Sequence, residues 1–582
     1  MKPETVIVFL VFPLLVGVLA GCGDEKPEPG KAAEQVEADK PVEEPQPRPK
    51  VYPKPPAGAI LIDAPATLDK QGATYFLTKD VAADGTAFTV LEDNITLDLG
   101  GRTVVYNAKP AETPVHAVVT KKGKHGRRLG SGIYGIAVRN GVIIQGKGAS
   151  KSSAALKLGG QFCVNYDIHH LEVYVHGLEC VGISAEINDS KVHHNYVESH
   201  ATTTRIDGRG CNAMGLRATL GGLDVYENVI ARGHRGITVG GLATYKGTYL
   251  DKLGGHRPSK VHHNLIQHKR LEQGNKAPYG IAIFYARLVE VHNNQIVSDN
   301  GRGIILDGGA RAGATENVIR DNLIDVQYSS TVTKGAYVEN RVYGIRDRYS
   351  SGRNKIIGNR IFVTNGVKGY IAGIYVGSDK KDPRMDGIEI TGNTIRVHGG
   401  SKAWLGPGAT GIVLDWVDHI KVERNFITSD ACPVIIRHAE EGVTIDANVF
   451  YQAPGRGKWT TAVTNENKLP FTGANQEGTT ETGWIPPRVP RGLTVTKHLD
   501  AYVLRWNADR SASLRGYIVY RDGQQLPISP RGGGFYVDLG LRPGRHAVYA
   551  VSAVDIGGGE TRRSRKVSTR DAQLGWDYGE NQ

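Results

Sequence analysis

Along the middle of the chain, apolar and polar residues alternate in short runs, and no run sustains a helical period. One run recurs nine times: an aliphatic β-branched residue, two variable residues, Asn, one variable residue and an apolar residue. Its asparagines are Asn195, Asn228, Asn264, Asn294, Asn322, Asn359, Asn393, Asn425 and Asn448, at intervals of 33, 36, 30, 28, 37, 34, 32 and 23. A second run starts at Gly182, Gly215, Gly236, Gly280, Gly303, Gly344, Gly373 and Gly411. Its aliphatic residues have period two, so they face one way and their neighbours the other. Each repeat predicts short strands parted by turns, with the Asn in the left-handed conformation, bonded to its counterpart one coil on. Ile95–Leu99 and Gly135–Val138 read as the first coils.

In-register Asn turns between stacked short strands resemble the right-handed parallel β-helix of the pectin-lyase-like superfamily. The resemblance covers residues 58–453 and implies an all-β solenoid of about eleven coils, about 50 Å long at the rung spacing of parallel strands. It also implies that the Gly strands form the first sheet and that a polysaccharide lies along it. The repeats lengthen before the Gly strand (199–212, 268–278, 326–341, 398–409) and after it (241–258, 377–386), never at the Asn. Insertions confined to one side mark a binding side.

The pattern changes beyond a polar linker, 454–484. Leu504–Trp506, Gly516–Gly523 and Tyr549–Val554 are alternating strands with sandwich spacing. Residues 485–571 resemble a fibronectin type III domain, followed by a tail, 572–582. At the other end, Lys2 precedes an apolar stretch, Val6 to Ala20, that closes in Leu19-Ala20-Gly21-Cys22. That stretch is short for a membrane span and reads as an export signal, 1–21. Its end resembles the bacterial lipobox, which implies a lipid on Cys22 and an extracytoplasmic, membrane-anchored protein, expected at the outer membrane. Residues 22–57 are rich in Pro, Glu and Lys, cannot bury a core and read as a disordered tether.

The chain has 582 residues, 71 Lys and Arg against 59 Asp and Glu, and 5 Cys. Five Cys in that length exclude a disulfide scaffold; Cys163, Cys180, Cys211 and Cys432 read as buried packing residues, with a Cys163–Cys180 bridge left open. The positive excess suits an anionic partner. An exported, anchored protein makes that partner a polysaccharide rather than nucleic acid.

Candidate chemistry lies on the outward side of the Gly strands, at the second and fourth residues after each Gly. These are Ser184 and Glu186, Arg217 and Thr219, Ile305 and Asp307, Arg346 and Arg348, Tyr375 and Gly377, and Val413 and Asp415, with their equivalents in the other coils. Asp307 and Arg348 share a column one rung apart. Tyr375 follows Arg346, and Tyr343 sits at the rim. Asp347 stands where other coils place Ala, Val, Leu or Ile, a costly position for an unpaired carboxylate. On a solvated sheet Asp307 and Arg348 would be a ladder ion pair contributing little. In a groove they would handle an acidic sugar. β-Elimination requires a uronate carboxylate to be neutralised and a base placed near the proton α to it. Arg346, Arg348, Asp307, Tyr375, Tyr343 and Asp347 are the catalytic candidates, and Arg217, Glu186 and Asp415 the substrate-binding ones. A hydrolase needs two carboxylates about 5–9.5 Å apart. Asp307 and Asp415 are three coils, or ~14 Å, apart, and Asp347 would serve only if turned outward. The combined motifs of known lyases and polygalacturonases are missing, so a non-catalytic carbohydrate-binding surface, or a hydrolase or epimerase, remains an alternative to a lyase. The sequence leaves open whether Ca²⁺ bridges the carboxylate. His193, His262 and His292, beside the Asn ladder, read as a solvated column rather than a metal site, and Tyr226 interrupts them.

Overall fold

The computed structural model describes residues 52–574 except 122–132, 202–211, 242–256, 270–278, 300, 309–313, 329–340, 351, 366–369, 379–383, 400–408, 453–460, 466–472, 479–485, 500, 510, 512, 527–532, 542–544 and 556–557. The expected signal, the lipidation residue Cys22, most of the tether, Cys211, and much of the variable stretches beside the Gly strands lie outside the described residues.

The chain forms a right-handed parallel β-helix followed by a small β-sandwich. The Gly strands stack in chain order into one 14-stranded parallel sheet, here the first sheet, running from Ala66–Leu68 to Val463–Asn465. Fourteen strands give a stack about 62 Å long, three coils more than the repeats alone suggest. The strands flanking each Asn turn, such as Ser259–His262 and Leu265–Lys269, form the other parallel ladders. One continuous core fills the interior. Each coil supplies it with Ile, Val or Leu, as Ile304 and Leu306 or Ile345 do.

The nine predicted asparagines are 0–1% exposed and form one amide ladder. Asn322 is representative: its Nδ2 donates to Asn359 Oδ1 at 2.9 Å and to Val291 O at 2.8 Å, and its backbone N–H donates to the same Oδ1 at 3.1 Å. Every amide group thus meets a partner without water. The left-handed residue, however, is the one before each Asn. His194, Glu227, His263, Asn293, Asp321, Arg424 and Ala447 have φ of 52, 52, 54, 54, 55, 54 and 53°. Gly358 and Gly392 hold the same place in two coils, at 64 and 67°. Each Asn is thereby free to turn its side chain inward.

One coil is out of the expected register. Ala213, not Gly215, aligns with Gly182 and Gly236, because Ile183 pairs with Met214 and Met214 with Ile237. The aligned position must be small: a Cβ on Gly182 would lie 2.6 Å from both Ala213 O and Val197 Cγ1. Ala213 supplies the small side chain, which releases Gly215 to the outer face. Arg217 therefore belongs to the fourth-residue column, with Glu186, and Thr219 lies beyond it.

The segment read as a linker, 454–484, contributes two further strands to the helix, Val463–Asn465 and Gln476–Gly478. Asn475 continues the ladder, accepting from Asn448 Nδ2 at 2.9 Å. The aliphatic signature fades here because the last coil has no later coil to cover.

The sandwich consists of two four-stranded sheets. One orders Phe535–Asp538, Ala501–Asn507, Arg491–His498 and Gln573–Leu574. The other orders Gln524–Gln525, Leu514–Arg521, Val548–Asp555 and Val567–Ser568. Its core gathers Leu504, Trp506, Tyr517, Val519, Tyr549 and Val551. The sandwich folds back onto the strands that follow the Asn turns. Tyr196, Val229, Ala231, Leu265 and Val297 of the helix pack against Ala501, Val503, Phe535 and Val537. Gln267 bonds both backbone groups of Val537, Arg360 donates to Asp509 O at 2.7 Å, and Glu172 accepts from Leu499 N at 3.2 Å.

Candidate functional site

The outward face of the first sheet carries three columns of side chains. The residues just before the Gly and two after it are mostly buried, and those four after it are more exposed. The outer column reads Glu186, Arg217, Gly240, Phe284, Asp307, Arg348, Gly377, Asp415 and Arg437 in coil order. Each acid is followed one coil later by an arginine. Glu186 lies 3.8 Å from Arg217, and Asp415 lies 3.8 Å from Arg437. Asp415 also pairs with His438 Nδ1 at 2.9 Å. Arg217 and Glu186 are thus in a local ion pair several coils from the central cluster, whereas Asp415 lies one coil beyond its last strand.

That cluster occupies the strands Arg302–Asp307, Arg341–Arg348 and Tyr370–Gly377. Asp307 and Arg348 are register partners, as are Arg346 and Tyr375. Arg346 is 6% exposed, and its Nη2 lies 3.9 Å from Asp307 Oδ2. Arg348 donates to the Tyr349 hydroxyl and lies 4.1 Å from the centre of that ring. Tyr343 and Tyr375 pack against each other with ring centres 5.2 Å apart, beside Ala372 and Val413. Arg302, which the sequence reading passed over, joins them with its guanidinium 5.7 Å from the Tyr343 ring centre. One rung pattern earlier, Arg235 sits 5.0 Å from the Tyr279 ring. Arg235, Tyr279, Arg302 and Tyr343 therefore alternate cation and ring down the column before the Gly. An Arg or Tyr directly preceding Gly in successive repeats was the available signal.

The electrostatics single out Arg346. Burial, then the guanidiniums of Arg302 and Arg348, pull it down to about 10, and Tyr343 and Asp307 offset only part of this. Burial pushes the Tyr375 phenol up, as do Asp415 and Tyr343, which keeps it protonated and suits it to donate rather than accept a proton. The pocket thus favours a positive side chain that sheds its proton more readily than usual, next to the neutral phenol of Tyr375.

Asp347 does not share this face. It points into the core and is fully buried. Its Oδ2 accepts from Asn354 Nδ2 at 2.8 Å. Asn354 Oδ1 accepts from the backbone and side-chain amides of Asn317, at 2.9 and 3.3 Å. Asp347 is the inner terminus of a second, shorter Asn ladder, which the sequence signalled only by Asn317 and Asn354 preceding equivalent strands. Burial pushes its carboxyl up to about 7, against the pull of Asn354 and Ser350. It is withdrawn as a groove residue, and with it the pairing of Asp307 and Asp347 for hydrolysis.

The predicted solvated histidines are instead packed. His169, His193, Tyr226, His262 and His292 form one continuous stack, with ring centres 4.9, 4.6, 5.3 and 4.8 Å apart. Tyr226 continues the stack rather than interrupting it. Cys163, Cys180 and Cys432 are buried free thiols, so no Cys163–Cys180 bridge forms. Burial pushes all three up, which keeps them unreactive. Among the described residues, no three His, Cys, Asp or Glu side chains converge as a metal cage, and no helix is long and apolar enough to cross a membrane.

No family model and no curated protein matches the chain. Among solved structures, it is similar to a mutant tailspike protein of E. coli bacteriophage HK620, at 12% identity over 86% of this chain and 85% of that one, TM-score 0.35. The A-module of a mannuronan C-5 epimerase of Azotobacter vinelandii is 13% identical over 72% of this chain and 91% of that one, TM-score 0.31. A Fn3-like protein from Clostridium thermocellum is 28% identical over 15% of this chain and 93% of that one, TM-score 0.13. With TM-scores this low, the fold rests on the parallel ladders themselves.

Proposed function

We propose that the first sheet binds a uronate-containing polysaccharide and cleaves it by β-elimination. The observation that carries this reading is the convergence of Arg302, Arg346 and Arg348 beside the carboxylate of Asp307. Guanidiniums this close repel one another, and a uronate carboxylate would relieve that repulsion. Arg348 and Arg302 neutralise it, which acidifies the proton α to it. Arg346, whose proton is held least firmly, serves as the base. The C–H electron pair then expels the glycosidic oxygen, leaving an unsaturated uronate and a new reducing end. Tyr375, whose phenol is raised, stays protonated and protonates the departing oxygen. A lipid on Cys22 would hold this activity at the outer membrane, outside the cytoplasm.

Arg346, Tyr343 and Tyr375 are less than a tenth exposed, so a glycan meets Arg348 and Asp307 first. That burial favours a second reading, a surface that binds acidic glycan without cleaving it. Incubation with uronate-containing and neutral glycans, with and without Ca²⁺, separates the two. Ultraviolet absorbance of unsaturated uronates together with new reducing ends, rising with pH towards about 10, is the expected result. Retention of acidic glycans with neither signal would establish binding alone, and reducing ends without absorbance would overturn elimination.

A further inference from the structure

Cations collect along one edge of the sandwich. Residues 562–570 include Arg562, Arg563, Arg565, Lys566 and Arg570, with no acidic residue among them. The run is tied to the outer side of the strand Val548–Asp555. Thr561 N donates to Ala553 O at 2.8 Å, Ser564 N to Val551 O at 2.7 Å and Thr569 N to Ala547 O at 2.9 Å. The hydroxyl oxygens of Thr561, Ser564 and Thr569 accept in return from Ala553 N, Val551 N and Ala547 N, at 2.9, 3.0 and 2.9 Å. The small hydroxyls thus turn in towards the sheet, and the five cations between them stay exposed. Val567–Ser568 is the terminal strand of its sheet, so the row follows a free edge. From the rung of Ala553 to that of Ala547 it is about 20 Å long at the rise of an antiparallel strand.

Arg563 covers the Tyr520 ring, with its guanidinium 3.7 Å from the ring centre, and donates to Gly523 O at 3.3 Å. The side chains of Arg562, Arg565, Lys566 and Arg570 make no hydrogen bond or ion pair among the described residues. Of the carboxylates around the row, Glu560 accepts from the Tyr520 hydroxyl, Asp555 from Gly559 N at 2.7 Å and Asp522 from Val548 N at 2.8 Å. Asp571 lies at its very end. Surface arginines of the β-helix differ: Arg257 contacts Asp189, Arg287 contacts Glu316 and Arg320 contacts Glu290. Charged side chains protect a sheet edge from pairing, but protection does not require one sign. A one-sign row repels itself and attracts a polyanion.

We infer that this edge is a docking site for an acidic polysaccharide, separate from the first sheet. The sandwich meets the β-helix through its other sheet, by Ala501, Val503, Phe535 and Val537, which leaves the edge uncovered. An extended polyuronate presents one carboxylate per sugar along a line, and a row of cations one strand wide matches that line. A surface that docks on an anionic bilayer adds exposed aromatic or leucine side chains to its cations. Among the described residues of this edge, Val548 is the one large apolar side chain exposed. The inference takes the same glycan class as the first sheet but none of its residues, so the two are tested apart.

The test is retention of the full chain on immobilised polygalacturonate, measured beside turnover of a short oligouronate. Wild-type retention is expected to weaken as salt is added. In R562S/R565S/K566S/R570S it falls roughly tenfold or more, while the melting temperature and the oligouronate turnover stay as in wild type. R562K/R565K/R570K keeps the charge and keeps the retention. K70S/K147S/K191S/K260S removes the same charge from exposed positions on the β-helix and leaves retention unchanged. Turnover absent from every protein, with retention still dependent on the four cations, would sink cleavage at the first sheet and leave this site standing. Undiminished retention in the first variant, or an equal loss in the lysine variant, would overturn the inference. Stronger capture by phosphatidylglycerol vesicles than by polygalacturonate would also overturn it and give the edge to a membrane.

Discussion

Asn354 Nδ2 donates to Asp347 Oδ2 at 2.8 Å inside the β-helix, which joins a buried carboxyl to the end of an amide ladder. Burial raises that carboxyl to about 7. A carboxyl that holds its proton more tightly in the folded chain than in the unfolded one stabilises the fold most at low pH. That contribution is lost between about pH 4 and pH 7, where the unfolded chain has released the proton that the folded one still holds, and does not change further above this range. D347N keeps an acceptor for Asn354 and removes the ionisation. Its melting temperature relative to wild type is expected to rise between about pH 5 and about pH 8. Melts of both proteins at the two pH values check this, and a constant difference would contradict a carboxyl that ionises inside the helix.

The Asn ladder should be costly to break in the middle and cheap at its end. N322A strips partners from Asn294 and Asn359, whose amides are sealed from water, and is expected to cost about 1–3 kcal/mol or more. Asn475 is only half-buried at the last rung, so N475A should cost much less. Denaturant unfolding of the two variants gives the comparison.

The corrected register is testable with two glycines. In G182A the new methyl meets the Ala213 carbonyl and the Val197 side chain, neither able to retreat far. A loss of about 1–3 kcal/mol is expected. In G215A the nearest atom is the Asn212 side-chain amide nitrogen, at 3.0 Å, which can rotate away. Nearly unchanged stability there, against a clear loss at Gly182, is the expected outcome. Equal losses would restore the register read from the glycine pattern.

R346Q separates function from stability. It removes a buried charge that two neighbouring guanidiniums already disfavour, so its melting temperature should equal or exceed that of wild type. Turnover of a uronate polysaccharide should disappear. A variant that melts well below wild type would show that Arg346 holds the sheet together rather than the substrate.

Much of the fold was legible because a β-helix is specified locally. Each coil restates the same needs: a small residue where coils approach, aliphatics on alternate positions, and an Asn whose amide bonds the next Asn. Asn475 and the last coil escaped that reading because a terminal rung buries less and loses its aliphatic signature. The site was legible only in part. Arg346, Arg348, Asp307, Tyr343 and Tyr375 come together as their spacing suggested, while Asp347 turns inward to serve a ladder too short to show as a repeat.

The sequence by itself determined the solenoid, the strand that forms the first sheet and the side chains offered to its outer face, since all depend on neighbours within one coil. Only the tertiary structure decided which of those side chains meet. Meeting across coils depends on register, and register depends on where each coil places its small residue, as Ala213 does in place of Gly215. The tertiary structure also decided that the sandwich returns to cover Tyr196, Val229 and Leu265. Those contacts join residues far apart in the chain, and no local pattern encodes them.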